Sequence, residues 1–258
     1  MRADVDLGHA LFGKSLPCPS CHDYLESSRL NEEERGHELG MIRSVDTDRG
    51  IHEVMRYMAL SMVADPYGFL SVYGGYGTAK SLMLTATVAE FCRRGKHAVY
   101  YRSDEIADRL FKDLKGESDY GRYFRTVPVL AIDELDDLKL IENGGGLSYI
   151  GREISAIIDE RYRQRNSLVT LLAFQDAPAH WMPGDVVSRV NDGRFYRDWP
   201  DALPVPECLD GDRRIPGILE INAPDLRPFL RSGRPLVQVH PESGEVLRDD
   251  RTGEVWQM

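Results

Sequence analysis

Phe69-Leu-Ser-Val-Tyr73 runs directly into Gly74-Gly-Tyr-Gly-Thr-Ala-Lys-Ser81. The apolar run has the length and composition of a strand buried on both faces. Residues 81–93 then alternate at helical period and stop before Gly95, where helices commonly end. A strand, a glycine loop and a helix in that order form the setting in which a P-loop wraps backbone N–H groups around phosphates. Lys80 is then expected to reach the β- and γ-phosphates of ATP, and the Ser81 hydroxyl to ligate magnesium. Gly74, Gly75, Tyr76, Gly77, Thr78 and Ala79 complete the expected nucleotide cradle. The pattern has Gly at its sixth position where this chain has Ala79, a methyl group the loop tolerates if its torsions allow. The alternative is a glycine-rich turn without nucleotide.

A second motif lies about fifty residues downstream, where Val127-Pro-Val-Leu-Ala-Ile132 ends in Asp133-Glu134. Apolar residues followed by two carboxylates at a strand end form a Walker B pattern. Asp133 is expected to hold magnesium and Glu134 to polarise the attacking water; otherwise the pair is a solvated strand end. One complete strand-helix unit, 97–101 and 104–114, lies between the motifs. That places the chain in the ASCE division of P-loop proteins, with ATP hydrolysis as the expected chemistry.

The rest of the chain continues the alternation. Ile51, Val54, Met55, Tyr57, Met58 and Met62 recur at helical spacing. Residues 150–165 form a helix with Ile154, Ile157, Ile158 and Tyr162 on one face; 168–174 read as a fourth strand and 218–221 as a fifth. Such alternation implies a parallel sheet with helical crossovers, a three-layer α/β P-loop NTPase domain with its ligand at the carboxyl ends of the strands. The expected division is an N-terminal appendage over 1–45, an ATPase core over 46–232 and a C-terminal hairpin over 233–258. The 258 residues, 42% of them apolar, suit one sizeable core. A formal charge of −10 argues against a surface that coats nucleic acid non-specifically, so any contact with DNA must be local. Four cysteines in a chain this long make no disulfide framework, and no run of eighteen apolar residues occurs. A cytoplasmic protein without a membrane segment is expected.

The chain resembles the DnaC/DnaI-type helicase loaders and the IstB-type transposition ATPases. The likeness spans roughly residues 50–228 and rests on Phe69-Leu-Ser-Val-Tyr-Gly74, Leu130-Ala-Ile-Asp-Glu-Leu135, Ile157-Ile-Asp-Glu-Arg-Tyr162, Val187-Ser-Arg189 and Ile218-Leu-Glu-Ile-Asn-Ala-Pro-Asp-Leu-Arg227. What it implies is an AAA+ core that forms an ATP-dependent homo-oligomer, with Arg189 as an arginine finger in the neighbouring subunit's site. Without the family, Arg189 is a solvated helix residue. The resemblance also implies a γ-phosphate sensor at the end of the fourth strand, where this chain has Gln175 and the family usually has Asn. It places Arg161 near a subunit boundary; the alternative is an ordinary i,i+4 ion pair. The implied partners are a replicative helicase or a transposase, together with single-stranded DNA bound weakly by the monomer.

Cys18, Cys21 and His22 have the spacing of a covalent haem attachment, which is discarded since nothing indicates export, and two readings remain: a structural Zn2+ site completed by another histidine, or a turn with two free thiols. Residues 192–214 read as an insertion. Its Phe195, Tyr196 and Trp199, beside Arg194 and Arg197, either stack on single-stranded bases or pin the loop to its own domain. Three functions follow. The first is a helicase loader or remodeller in DNA replication, the second a transposition accessory ATPase, and the third an ATP-sensing adaptor that does not hydrolyse.

Overall fold

A computed structural model of the chain describes residues 24–42, 50–138, 140, 141, 146–195, 214, 215 and 217–221. The Cys18, Cys21 and His22 cluster, the C-terminal hairpin and most of the insertion lie outside them.

Five strands form one wholly parallel sheet. They are β1 (Gly68–Tyr73), β2 (Ala98–Arg102), β3 (Val129–Asp133), β4 (Val169–Phe174) and, beyond the two-residue β5 (Arg194–Phe195) and β6 (Arg214–Ile215), β7 (Ile218–Glu220). The order across the sheet is β2-β3-β4-β1-β7. The strand ending in the two carboxylates is therefore separated from β1 by β4, which pairs Tyr73 with Phe174 on one side and Leu130 with Thr170 on the other. β5 and β6 pair antiparallel at the neck of the insertion.

Strand side chains divide by period two into two cores. Leu70, Val72, Tyr100, Ala131 and Leu171 join one core, and Phe69, Tyr101, Leu130, Ile132 and Leu172 the other. The first is covered by α2 (Ile51–Ala64) and α3 (Lys80–Arg93), the second by α4 (Ser103–Leu114), α5 (Tyr120–Thr126), α6 (Tyr149–Arg163) and α7 (Gly184–Val190). With helices on both faces, β1, β3 and β4 are buried along nearly their whole length and read as largely apolar runs. This is the expected three-layer architecture. No helix among the described residues is long and apolar enough to cross a membrane.

Residues 24–42, grouped with the appendage in the sequence, pack into the first core through Leu30, Leu39 and Ile42. They include α1 (Glu32–Arg35), which begins with a reciprocal cap between Asn31 and Glu34. The Ser28 carbonyl accepts the Tyr100 N–H at 2.9 Å, so this segment covers the outer edge of β2.

Arg161 corrects both expectations for it. It is fully buried, and its guanidinium donates to Thr170 Oγ1 (2.8 Å) and to the carbonyls of Phe124 (2.9 Å), Val127 (2.8 Å) and Val169. A single side chain thus ties α6 to the end of α5 and to β4.

Candidate functional site

The loop from Gly74 to Ala79 leaves β1 at the point where the sheet divides, with β4 on one side and β7 on the other. Gly74 has φ +147°, and a Cβ there would lie 2.3 Å from the Ile221 carbonyl oxygen, so only glycine fits. Gly77 (φ +73°) and Ala79 (φ +62°) are left-handed, the backbone pattern that gathers N–H groups into an anion-binding concavity. Ala79 is therefore accommodated by adopting the glycine-like torsion, at a strain of about 1 kcal/mol, while its methyl packs against the first core. It is also the N-cap of α3 and supplies no side-chain cap, so the positive end of a 14-residue helix opens on the loop. Lys80 Nζ donates to the carbonyls of Gly74 and Gly75, both at 2.7 Å, and Thr78 Oγ1 donates to Gly75 O at 3.0 Å.

A cleft of about 260 Å3 lies over this loop, lined by residues 76–82 together with Asp133, Glu134, Phe174 and Gln175. The ends of β1, β3 and β4 thus bring together the residues of both motifs and the Gln175 position. Asp133 is 3% exposed. Its Oδ2 accepts the Tyr100 hydroxyl at 2.8 Å and its Oδ1 accepts the Glu134 N–H at 3.0 Å, and Ser81 lines the same cleft. Burial raises the Asp133 pKa more than the neighbouring Ser81 and Tyr100 hydroxyls lower it. Burial and the Asp133 charge likewise push the Tyr100 phenol far up.

Glu134 lines the cleft in a left-handed conformation, φ +55°, a sparsely populated region where strain collects at functional positions. Its Oε2 lies 3.1 Å from Arg102 Nη2, and the hydrogen bond and charge of Glu134 raise the Arg102 pKa. Gln175 is held through its backbone: Asp136 Oδ2 accepts the N–H groups of Gln175 (2.9 Å) and Asp176 (3.1 Å), tying the end of β4 to the segment after β3.

Arg189 is not among the cleft residues. On α7, its Nε lies 3.0 Å from Asp159 and its Nη1 2.7 Å from Asp185.

The sequence did not single out Tyr100, Arg102 or Asp136. The signal for Tyr100 and Arg102 is the pairing of β2 with β3, which sets Arg102 opposite Asp133, whereas Asp136 meets the end of β4. Once the two strands are taken as neighbours, polar residues at the end of β2 become candidates to touch the two carboxylates.

The donor set suits a magnesium nucleotide. Left-handed turns, an uncapped helix start and a lysine match phosphate oxygens, and a hydroxyl beside a buried carboxylate offers hard oxygen ligands.

No protein-family model matches this sequence, nor does any curated protein. Solved structures do. A DNA replication initiation factor superposes with a TM-score of 0.51 at 20% identity, covering 62% of this chain and 48% of that one. AMPPCP-bound DnaA from Aquifex aeolicus gives 0.50 at 22% identity over the same shares, 62% and 48%. DnaI gives 0.51 at 18% identity, covering 78% of this chain and 98% of DnaI. The chain has the P-loop AAA+ fold. It spans about half the length of the first two structures, and at these identities the likeness is one of fold. The three-layer P-loop architecture expected from the two motifs is thereby borne out, and the DnaI superposition supports, at the level of fold, the AAA+ core that the resemblance to helicase loaders implies.

Proposed function

We propose that this protein is an ATP-binding and ATP-hydrolysing AAA+ protein that oligomerises around its nucleotide and acts in DNA replication as a helicase loader or remodeller on single-stranded DNA. The observation that carries the reading is the convergence of Lys80, Ser81, Asp133, Glu134 and Gln175 on one cleft at the carboxyl ends of β1, β3 and β4. The loop N–H groups and the start of α3 bind the phosphates, with Lys80 exchanging the Gly74 and Gly75 carbonyls for phosphate oxygens. Ser81 and Asp133 hold Mg2+. A bound magnesium nucleotide supplies a terminal phosphoryl group open to in-line attack by water. Glu134 orients that water and polarises its O–H bond, and Gln175 contributes a second hydrogen bond at the end of β4. Arg189 serves the site of a neighbouring subunit, after leaving Asp159 and Asp185.

ATP turnover and mass by light scattering test this, with and without single-stranded DNA, in the wild type and in Lys80→Ala, Glu134→Gln and Arg189→Ala. The reading expects turnover in the wild type and its loss in all three variants, with Glu134→Gln still binding ATP and forming oligomers. Binding without turnover or assembly would leave the adaptor reading. One observation favours that alternative, namely the engagement of Glu134 by Arg102.

A further inference from the structure

We propose that Tyr100 is a positioning residue for the divalent-cation site formed by Ser81 and Asp133, an inference that rests on the nucleotide reading above. Tyr100 lies in β2 opposite Ala131 of β3, and both side chains belong to the core under α3. Asp133 lies two residues beyond Ala131, on the same face and about 6.6 Å further along the strand at the usual rise. An aliphatic residue at position 100 would end short of that carboxylate. A tyrosine spans the distance, and its hydroxyl donates to Asp133 Oδ2 at 2.8 Å with the side chain only 6% exposed.

This bond settles the orientation of the carboxylate. Oδ1 is engaged by the Glu134 N–H and Oδ2 by Tyr100, so rotation about the Cβ–Cγ bond would break both. The carboxylate is thereby held in one orientation in the cleft that Ser81, at the start of α3, also lines, where the two would share a cation. Tyr100 touches neither cation nor nucleotide in this scheme; it acts through Asp133, as outer partners of metal-ligating groups do, where a loss of about ten- to a hundredfold in metal affinity is typical on mutation.

The test uses the full chain and Tyr100→Phe, which keeps the ring in the core and removes the donor. Affinity for a fluorescent ATP analogue is measured in excess Mg2+ and in EDTA, and Mn2+ binding in the presence of ATP is followed by electron paramagnetic resonance. The expected result is Mn2+ binding weakened about tenfold or more, a smaller gain in nucleotide affinity from Mg2+, and unchanged affinity in EDTA. A purely structural tyrosine would weaken binding equally in Mg2+ and EDTA; that result, or a wild-type cation dependence in the variant, overturns the proposal. Failure of the wild type to bind the analogue under either condition would instead remove the nucleotide reading, and this inference with it. Should Tyr100→Phe not fold, Tyr100→His takes its place: its shorter side chain falls short of Asp133, so wild-type cation dependence there also overturns the role of the phenol.

Discussion

Arg102, at the end of β2, holds the Glu134 carboxylate at 3.1 Å, so the residue assigned to activate water is engaged by a cation from the neighbouring strand. Both side chains are partly solvated, 57% and 35% exposed. A pair of this kind contributes roughly 0.2–1 kcal/mol, enough to bias Glu134 but not to lock it. Arg102→Ala should therefore raise basal ATP turnover, by no more than about fivefold, since 1 kcal/mol corresponds to about that factor. Nucleotide affinity should stay at the wild-type level. Steady-state phosphate release checks this; a fall in turnover would mean that Arg102 assists Glu134 rather than restraining it.

Ala79 and Gly74 predict opposite outcomes for exchanges between the same two residue types. Ala79→Gly relieves about 1 kcal/mol of left-handed strain but adds freedom to the unfolded chain worth about 0.4–1 kcal/mol. Its net effect on stability should lie within about 0.5 kcal/mol, with ATP affinity retained. Gly74→Ala drives a Cβ to 2.3 Å from the Ile221 backbone oxygen and 3.1 Å from its carbonyl carbon, backbone atoms of a residue whose N–H is bonded to Tyr73 O at 2.7 Å. It should cost about 1–3 kcal/mol or more and weaken ATP binding. Thermal melts and nucleotide titration of both variants separate the two cases.

The sheet was legible because strands covered on both faces leave largely apolar runs, such as residues 69–73 and 129–132, and the motifs at their ends carry the site. α5 was not legible, for a physical reason. Tyr-Gly-Arg-Tyr-Phe-Arg-Thr is short and contains a glycine, and its start is stabilised by Asp113 from another helix and its aromatics by Tyr101. Arg161 misled because a charged residue on a helix reads as surface, and the carbonyls that accept from it come from two other places in the sequence, the end of α5 and β4. Likewise, the contacts of Tyr100 and Arg102 with the two carboxylates depend on which strand lies beside β3, and local pattern does not carry that information.

Arg161 should be intolerant of lysine. Burial pushes its guanidinium down to about 9, yet it remains charged at neutral pH and has three carbonyls and a hydroxyl to satisfy. Lysine has a single nitrogen and cannot reproduce the planar fork. Arg161→Lys should cost about 3 kcal/mol or more, as buried acceptors lose their donors. Urea denaturation should show a lower midpoint with an unchanged slope. A variant of wild-type stability that fails only to oligomerise would return Arg161 to the subunit boundary.

Asp113 gives the fold an acid-sensitive element. Asp119, the N-cap of α5, makes no side-chain cap; Asp113 does this from α4, accepting the Tyr120 N–H at 2.8 Å, the Gly121 N–H and the Ser118 hydroxyl at 2.7 Å. Burial alone raises the Asp113 pKa, but these hydrogen bonds, led by that of Ser118, outweigh it and hold the group below its ordinary 3.8. A carboxyl with a depressed folded pKa binds its proton less readily in the native state than in the unfolded chain. Its contribution is therefore complete well above pH 3.8 and is lost as pH falls through the lower folded value. Asp113→Ala should cost about 1 kcal/mol at pH 7, the usual worth of a helix cap, and the gap to the wild type should close as pH drops below 3.8. Urea midpoints of the two proteins along a descending pH series measure this. A gap that stays constant down the series would show that the charge on Asp113 adds nothing to its hydrogen bonds.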